Sequence, residues 1–271
     1  MDDIDALSRF SGGADHEERQ AMKQGGPASP LRVRYWQWRS AVSKRMERKK
    51  FILDHRGDAR LCNICGWKGS EFHPLGELPD VLCPACDSQR RHRLLKVVLD
   101  RLNLPQPVAR ILHVAPKGED GLVRLFKRVA GRYLSIDKGG PWNSIPIAMK
   151  AMDLTELELP DNSVDFVQCC HVLENIADDQ KAIGEIYRVL AAGGYAALQV
   201  QIYGKTTVRV ATPSADDHWH AWQPGPDYFE RYEKAGFEVQ LFDTSIANET
   251  LLATGNDLLV PLCRKPGGSR D

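Results

Sequence analysis

Four cysteines in two Cys-x-x-Cys pairs, Cys62-Asn63-Ile64-Cys65 and Cys83-Pro84-Ala85-Cys86, carry the most specific chemistry in this 271-residue chain. Seventeen residues separate the pairs, a spacing suited to two metal-binding knuckles. Each short loop turns two sulfurs toward one point, and four thiolates close a tetrahedral zinc site. The intervening segment is long enough for a hairpin bearing Trp67, Phe72 and Leu75. A redox dithiol needs a single exposed, electropositive pair, so the second pair at matched spacing favours structural zinc. His73 is a weaker candidate ligand, because four sulfurs already fill the shell.

Other reactive side chains close apolar runs. Val164, Phe166 and Val167 follow the turn-forming Pro160-Asp161-Asn162-Ser163 and lead into Cys169-Cys170-His171. An imidazole at His171 could orient a nucleophile or take its proton; packing is the alternative role. Cys169 and Cys170 read as small buried hydrophobes rather than nucleophiles. Asp137 ends the run Tyr133-Leu134-Ser135-Ile136, where a carboxylate either caps a turn or holds a ligand. The long segment from Tyr203 to Pro226 is expected to cover a pocket and select what enters. His218 and His220 alternate within it, so an extended backbone turns both to one side, where a general-base or metal role is open.

The elements that must position these residues alternate in period. Arg110 to Pro116 reads as a strand and its exit loop, and a helix from about 119 to 129 bears Leu122, Leu125 and Phe126. Tyr133 to Asp137 is a second strand. Ile183, Ile186, Val189 and Leu190 recur at helical spacing, Gly193-Gly194 are expected to stop that helix, and Tyr195 to Ile202 reads as a buried strand. A helix over 227–235, a strand from Gly236 to Val239 and a last strand from Leu258 to Cys263 complete the pattern. The alternation predicts an α/β, Rossmann-like sheet covered by helices, with ligands beyond the carboxyl ends of its strands.

The expected organisation is a polar tail over 1–30, a basic, aromatic-containing helical segment over 31–60, a zinc ribbon over 61–90, a linking helix over 91–107 and the α/β domain over 108–271. In 31–60 the basic residues outnumber Glu47, Asp54 and Asp58, and Tyr35, Trp36 and Trp38 interleave with them. That suits RNA, an acidic lipid surface or an anionic partner, or else a surface helix that docks its tryptophans. Leu94, Leu95, Val98, Leu99 and Leu102 form a stripe that should couple ribbon to main domain. Arg90, Arg91 and Arg93 either bind an anion or RNA, or pair helices and support the zinc ligands from behind. Basic and acidic residues balance at 36 each, so attraction to nucleic acid or membrane must be local. Seven cysteines, the absence of a 20-residue apolar run and a start without a secretory pattern lead to the expectation of a cytoplasmic protein.

The stretch DLTELELPDNSVDFV, followed by HVLENIADD and EIYRVLAAGG, resembles the class I S-adenosylmethionine-dependent methyltransferases, and the resemblance spans roughly 108–263. A zinc ribbon followed by SQRRHRLL and ILHVAP is similar to a bacterial group of ribbon-containing methyltransferase-like proteins, in which the ribbon leads directly into the catalytic fold. The resemblance implies S-adenosyl-L-methionine as cofactor, with structural Zn2+ beside it. It implies that the loop at His113, Ala115, Pro116 and Lys117 faces the methionine part, although the family's acidic residue and glycines are replaced there and Gly118 and Gly121 come later. It implies ribose contact for Asp137, adenine contact for Asp153 with the Leu154 amide, and a place near the methyl for Cys170 and His171. Three functions follow: methyl transfer to a small molecule or sugar, with His171 or His220 taking a proton; RNA methylation using the ribbon and the basic segment; or a non-catalytic binding scaffold.

Overall fold

Residues that alternate between two apolar layers build the sheet at the centre of the chain. In a computed structural model that describes residues 42–43, 45–116, 120–138, 149–214, 220–248, 251 and 258–267, Ile111 and Phe166 pack into one layer while Leu112 and Val167 pack into the other. The expected tail over 1–30, the aromatic part of 31–60 at Tyr35, Trp36 and Trp38, and also Lys117, Gly118 and His218 lie outside the described residues. Residues 52–271 form one compact unit, and those before Ile52 belong to another.

Four short strands come first: β1 (Arg60–Leu61) pairs with β2 (Lys68–Gly69), and β3 (His73–Leu75) with β4 (Leu78–Leu82). These two hairpins carry the cysteine knuckles. Helix α1 (Arg90–Arg101) follows and buries Leu94, Leu95, Val98 and Leu99. Full burial of such aliphatic side chains is worth about 1.5–3 kcal/mol each. Its start is closed by a reciprocal box in which the Gln89 amide donates to His92 Nδ1 at 3.2 Å.

The main sheet comprises β5 (Arg110–Val114), β6 (Arg132–Asp137), β7 (Met149–Ala151), β8 (Val164–Cys170), β9 (Leu190–Gln199), β12 (Glu238–Phe242) and β13 (Val260–Arg264). The two-residue β10 (Val208–Arg209) and β11 (Trp222–Gln223) pair separately. The order across the sheet is β12-β13-β9-β8-β5-β6-β7. Pairing from β7 to β9 is parallel, while β13 runs antiparallel to both its neighbours. Chain direction across the sheet reverses between β5 and β8, which opens a crevice at their carboxyl ends. Helix α2 (Asp120–Val129) connects β5 to β6, α3 (Asp179–Val189) connects β8 to β9, and α4 (Glu230–Lys234) precedes β12.

Several boundaries differ from the sequence expectation: the linking helix expected over 91–107 ends at Arg101, the strand expected from Gly236 to Val239 runs Glu238–Phe242, and one further difference has a traceable cause. Helix α3 ends at Val189, not at Gly193-Gly194, and β9 starts at once at Leu190 and ends at Gln199. The cause lies far along the chain. Lys265 Nζ donates to the carbonyls of Tyr187 at 2.9 Å and Leu190 at 2.7 Å, satisfying acceptors at the helix end. Gly193, at φ +79°, instead sits inside β9, where its amide donates to the Lys265 carbonyl at 2.9 Å.

Candidate active site and metal centre

The four knuckle sulfurs converge. Cys62 Sγ lies 3.6 Å from Cys86 Sγ, Cys65 Sγ lies 3.6 Å from Cys83 Sγ, and all four fall within 4.8 Å of one another. A tetrahedron with zinc–sulfur bonds of about 2.3 Å sets its sulfurs roughly 3.8 Å apart, whereas a disulfide would bring two to about 2.0 Å. The donor set therefore fits zinc. Cys62, Cys83 and Cys86 are buried, and the Ser88 hydroxyl sits 3.1 Å from Cys62 Sγ. Contact with the other three sulfurs lowers the Cys62 thiol, and hydrogen bonding to Cys62 raises Cys83. His73 stays apart, its Nδ1 2.9 Å from the Pro74 carbonyl.

Arg93 supports this cluster from behind. It is fully buried, and donates to three carbonyls, Leu251 at 2.5 Å, Ser88 at 2.8 Å and Val81 at 3.0 Å. Burial draws its guanidinium down to about 10, opposed by the charges of Cys62, Cys83 and Cys86. Of the two roles open to Arg93, the structure selects the internal one. Gly121 joins ribbon to sheet as well. Its amide donates to the Cys86 carbonyl at 3.1 Å, and a Cβ there would stand 3.0 Å from Ile64 and 3.1 Å from Cys86 Sγ. This glycine admits the knuckle against α2.

At the carboxyl ends of β5, β6 and β7 lies a cavity of about 280 Å³. Val114, Ala115, Ile136 and Asp137 form one side, Met152, Asp153 and Leu154 another, and Val172, Asn175 and Ile176 the third. It brings together Ala115, Asp137, Asp153 and Leu154 of the predicted cofactor residues. Asp153 Oδ1 accepts from the amide and hydroxyl of Thr155, both at 2.9 Å, and Oδ2 pairs with Lys138 at 2.6 Å. The Lys138 ammonium first, then the Thr155 amide, holds the Asp153 carboxyl down at about 2. Ala115 adopts φ +45°, which costs a non-glycine residue about 1–2 kcal/mol and bends the chain out of β5.

His113, Pro116 and Cys170 do not line this cavity. For His113 the reason is strand parity. Leu112 and Val114 face the layer beside the cavity, so His113 turns to the opposite one, where Nδ1 is 2.9 Å from Tyr133 Oη and the ring meets Phe126 edge-on at 5.4 Å. Cys170 is buried within β8, and Pro116 lies past the bend at Ala115.

A second, larger cavity of about 710 Å³ lies farther along the same edge. His171, Gln199 and Gln201, at the ends of β8 and β9, face ribbon residues Leu75, Leu78 and Val81 across it, and Arg90 and Arg91 open α1 there. His171 is also left-handed, at φ +54°, held by its amide donating to the Gln199 carbonyl at 2.9 Å. Its Nδ1 lies 3.0 Å from Oε1 of Glu174, a fully buried carboxylate. Sequence reasoning missed Glu174, although its spacing of three from His171 was the available signal. His220 lines neither cavity; its Nδ1 lies 3.2 Å from Tyr203 Oη, while Ala221 donates to the Glu174 carbonyl at 2.8 Å. The structure thus brings His171, and not His220, to the wall of one of these two cavities.

Residues 132–198, from β6 through β9, match a family model described as a methyltransferase domain. The order and directions of the seven strands around that stretch are those of a Rossmann-like α/β sheet. A four-cysteine cluster precedes the matched stretch. A search of curated proteins finds no match. Among solved structures, similarity extends to a chain from the complex of the Haloferax volcanii Trm112 methyltransferase activator with a methyltransferase, at 18% identity and TM-score 0.49, covering 67% of this chain and 92% of that one. A Burkholderia thailandensis 1,6-didemethyltoxoflavin-N1-methyltransferase bound to S-adenosylhomocysteine is similar at 17% identity and TM-score 0.49, over 65% of this chain and 78% of that one. A Bacillus halodurans methyltransferase is similar at 15% identity and TM-score 0.44, over 64% and 98%. No helix among the described residues is long and apolar enough to cross a membrane.

Proposed function

We propose that this protein transfers a methyl group from S-adenosylmethionine to a small-molecule acceptor held beside His171, with structural zinc bound by Cys62, Cys65, Cys83 and Cys86. The observation that carries the reading is the convergence of Asp137, Asp153 and Leu154 on one cavity at the carboxyl edge of a methyltransferase sheet, with a second cavity along the same edge. When bound, S-adenosylmethionine supplies an electrophilic methyl on its sulfonium. Asp137 would accept from the ribose hydroxyls, and Val114, Ile136, Met152 and Leu154, which line the cavity, would give the adenine an apolar slot. Asp153, kept ionised by Lys138 and Thr155, would accept from the exocyclic amine. Catalysis comes chiefly from alignment of the reacting atoms. His171 hands its Nδ1 proton to the hydrogen bond with Glu174, which leaves Nε2 to take the acceptor's proton. The seven thiols suit a reducing, cytoplasmic setting.

Calorimetry with S-adenosylhomocysteine on wild type and Asp137→Ala tests the cofactor assignment. Each hydrogen bond to a charged group contributes about 1.5–3 kcal/mol, so the variant should bind at least tenfold more weakly. Equal affinities would remove Asp137 from the site, and absence of binding to wild type would favour a scaffold without catalysis.

A further inference from the structure

We infer that the acceptor is an anionic small molecule with an apolar body, its carboxylate or phosphate gripped by Arg91 and its methylated hydroxyl or amine lying against Gln199 and His171. The inference rests on the methyltransferase reading and adds the substrate class. Charge is the first ground. No carboxylate is among the described residues that line the 710 Å³ cavity, whereas Arg90 and Arg91 both are. Elsewhere Arg110, Arg188, Arg231 and Arg264 pair with Asp165, Glu185, Asp179 and Glu238. Arg91 instead donates Nη1 to the neutral Gln89 side chain, and its Nε is buried without a hydrogen-bond partner among the described residues. A guanidinium drawn partly out of water with no counter-ion is costly, and an anion in the cavity would relieve that cost with paired hydrogen bonds.

The second ground lies on the opposite wall. Gln199 is 2% exposed, and its Oε1 is buried without a donor among the described residues. Its backbone carbonyl holds the His171 amide at 2.9 Å, and both residues line the cavity. An acceptor O–H or N–H donating to Gln199 Oε1 would satisfy it and bring the same group to His171. Between these polar ends the walls are aliphatic, from Leu75, Leu78 and Val81 of the ribbon to Leu258 and Leu259 before β13. No Phe, Tyr or Trp is among the described residues that line the cavity, so its middle suits an apolar body rather than a stack of bases. The ribbon thereby becomes part of the acceptor site.

The full-length protein, saturated with S-adenosylhomocysteine, should be titrated with benzoate, phenyl phosphate and the neutral benzyl alcohol, followed by ligand-observed NMR. At least one anion should saturate with an affinity tenfold or more above that of the alcohol; the tighter of the two identifies the head group. Arg91→Gln should weaken that anion tenfold or more without changing S-adenosylhomocysteine affinity, and Arg91→Lys should restore part of the loss. Equal binding of anion and alcohol to wild type overturns the inference even where the Gln variant fails to fold. So does an unchanged anion affinity in Arg91→Gln, or displacement of phenyl phosphate by a single-stranded RNA oligonucleotide at lower concentration. Normal S-adenosylhomocysteine binding in those cases leaves the methyltransferase reading standing, whereas its loss in wild type removes both.

Discussion

Replacing Arg93 by Met keeps most of the side chain's length and removes its charge and donors, which tests whether this residue locks the ribbon to the catalytic sheet. Three carbonyls lose a donor: Val81 in β4, Leu251 from the far part of the chain, and Ser88, which keeps the Cys83 amide at 2.9 Å. A buried acceptor left unsatisfied costs about 1–3 kcal/mol, so the Val81 and Leu251 carbonyls together forfeit roughly 2–6 kcal/mol. The guanidinium also stands 3.7 Å from the Phe72 ring centroid, a contact that a thioether replaces only in part. Relief of the desolvation that lowers this guanidinium to about 10 acts in the other direction. The net expectation is a loss of about 3–5 kcal/mol, in line with breaking other buried charge arrangements. At about 2–4 °C per kcal/mol for a domain near this size, the melting point should fall by roughly 10 °C. Four thiolates on zinc carry a net double negative charge, and Arg93 is the cation beside them, so the variant should also yield its zinc faster to a chelating dye. Urea unfolding followed by circular dichroism, with chelator competition followed by absorbance, reads both effects. A loss below about 1 kcal/mol with an unchanged rate of zinc release would refute the reasoning.

Elemental analysis of the purified protein should find one zinc per chain, and Cys65→Ser should lower that content while exposing Trp67 fluorescence to quenchers; well under half an equivalent in wild type would contradict a closed four-sulfur site. Once an acceptor is in hand, Glu174→Gln should reduce kcat about ten- to a hundredfold and leave KM for S-adenosylmethionine unchanged, because the buried carboxylate positions His171 rather than the cofactor. Equal kcat values would remove Glu174 from that role. The depressed Asp153 carboxyl makes its pairing with Lys138 acid-sensitive: the stability it lends is complete above about pH 4 and is lost as pH falls through about 2. Asp153→Asn should therefore be less stable than wild type at pH 7, and the gap should close between pH 4 and 2; a gap independent of pH would assign the effect to packing.

Local chemistry made much of this protein legible. The paired cysteines announce a closed metal site because short Cys-x-x-Cys loops direct sulfurs inward whatever surrounds them, and their 3.6 Å contacts agree with that. Alternating strand and helix periods place Asp137 at a strand end, Asp153 comes from the family resemblance, and parallel pairing of β5, β6 and β7 brings both to one edge. Features that depend on residues distant in sequence were not legible. Helix α3 stops where Lys265 caps it, and His113 turns from the cofactor cavity because one step of strand parity directs it to Phe126 and Tyr133. Arg91, at the start of α1, and His171, after β8, share a cavity because the ribbon folds against the far half of the sheet. Sequence alone determined the donor types and the order of elements, since both follow from short-range spacing and covalent geometry. Tertiary structure decided which side chains meet and which buried polar atoms lack partners, since those outcomes depend on the packing of segments that are remote along the chain.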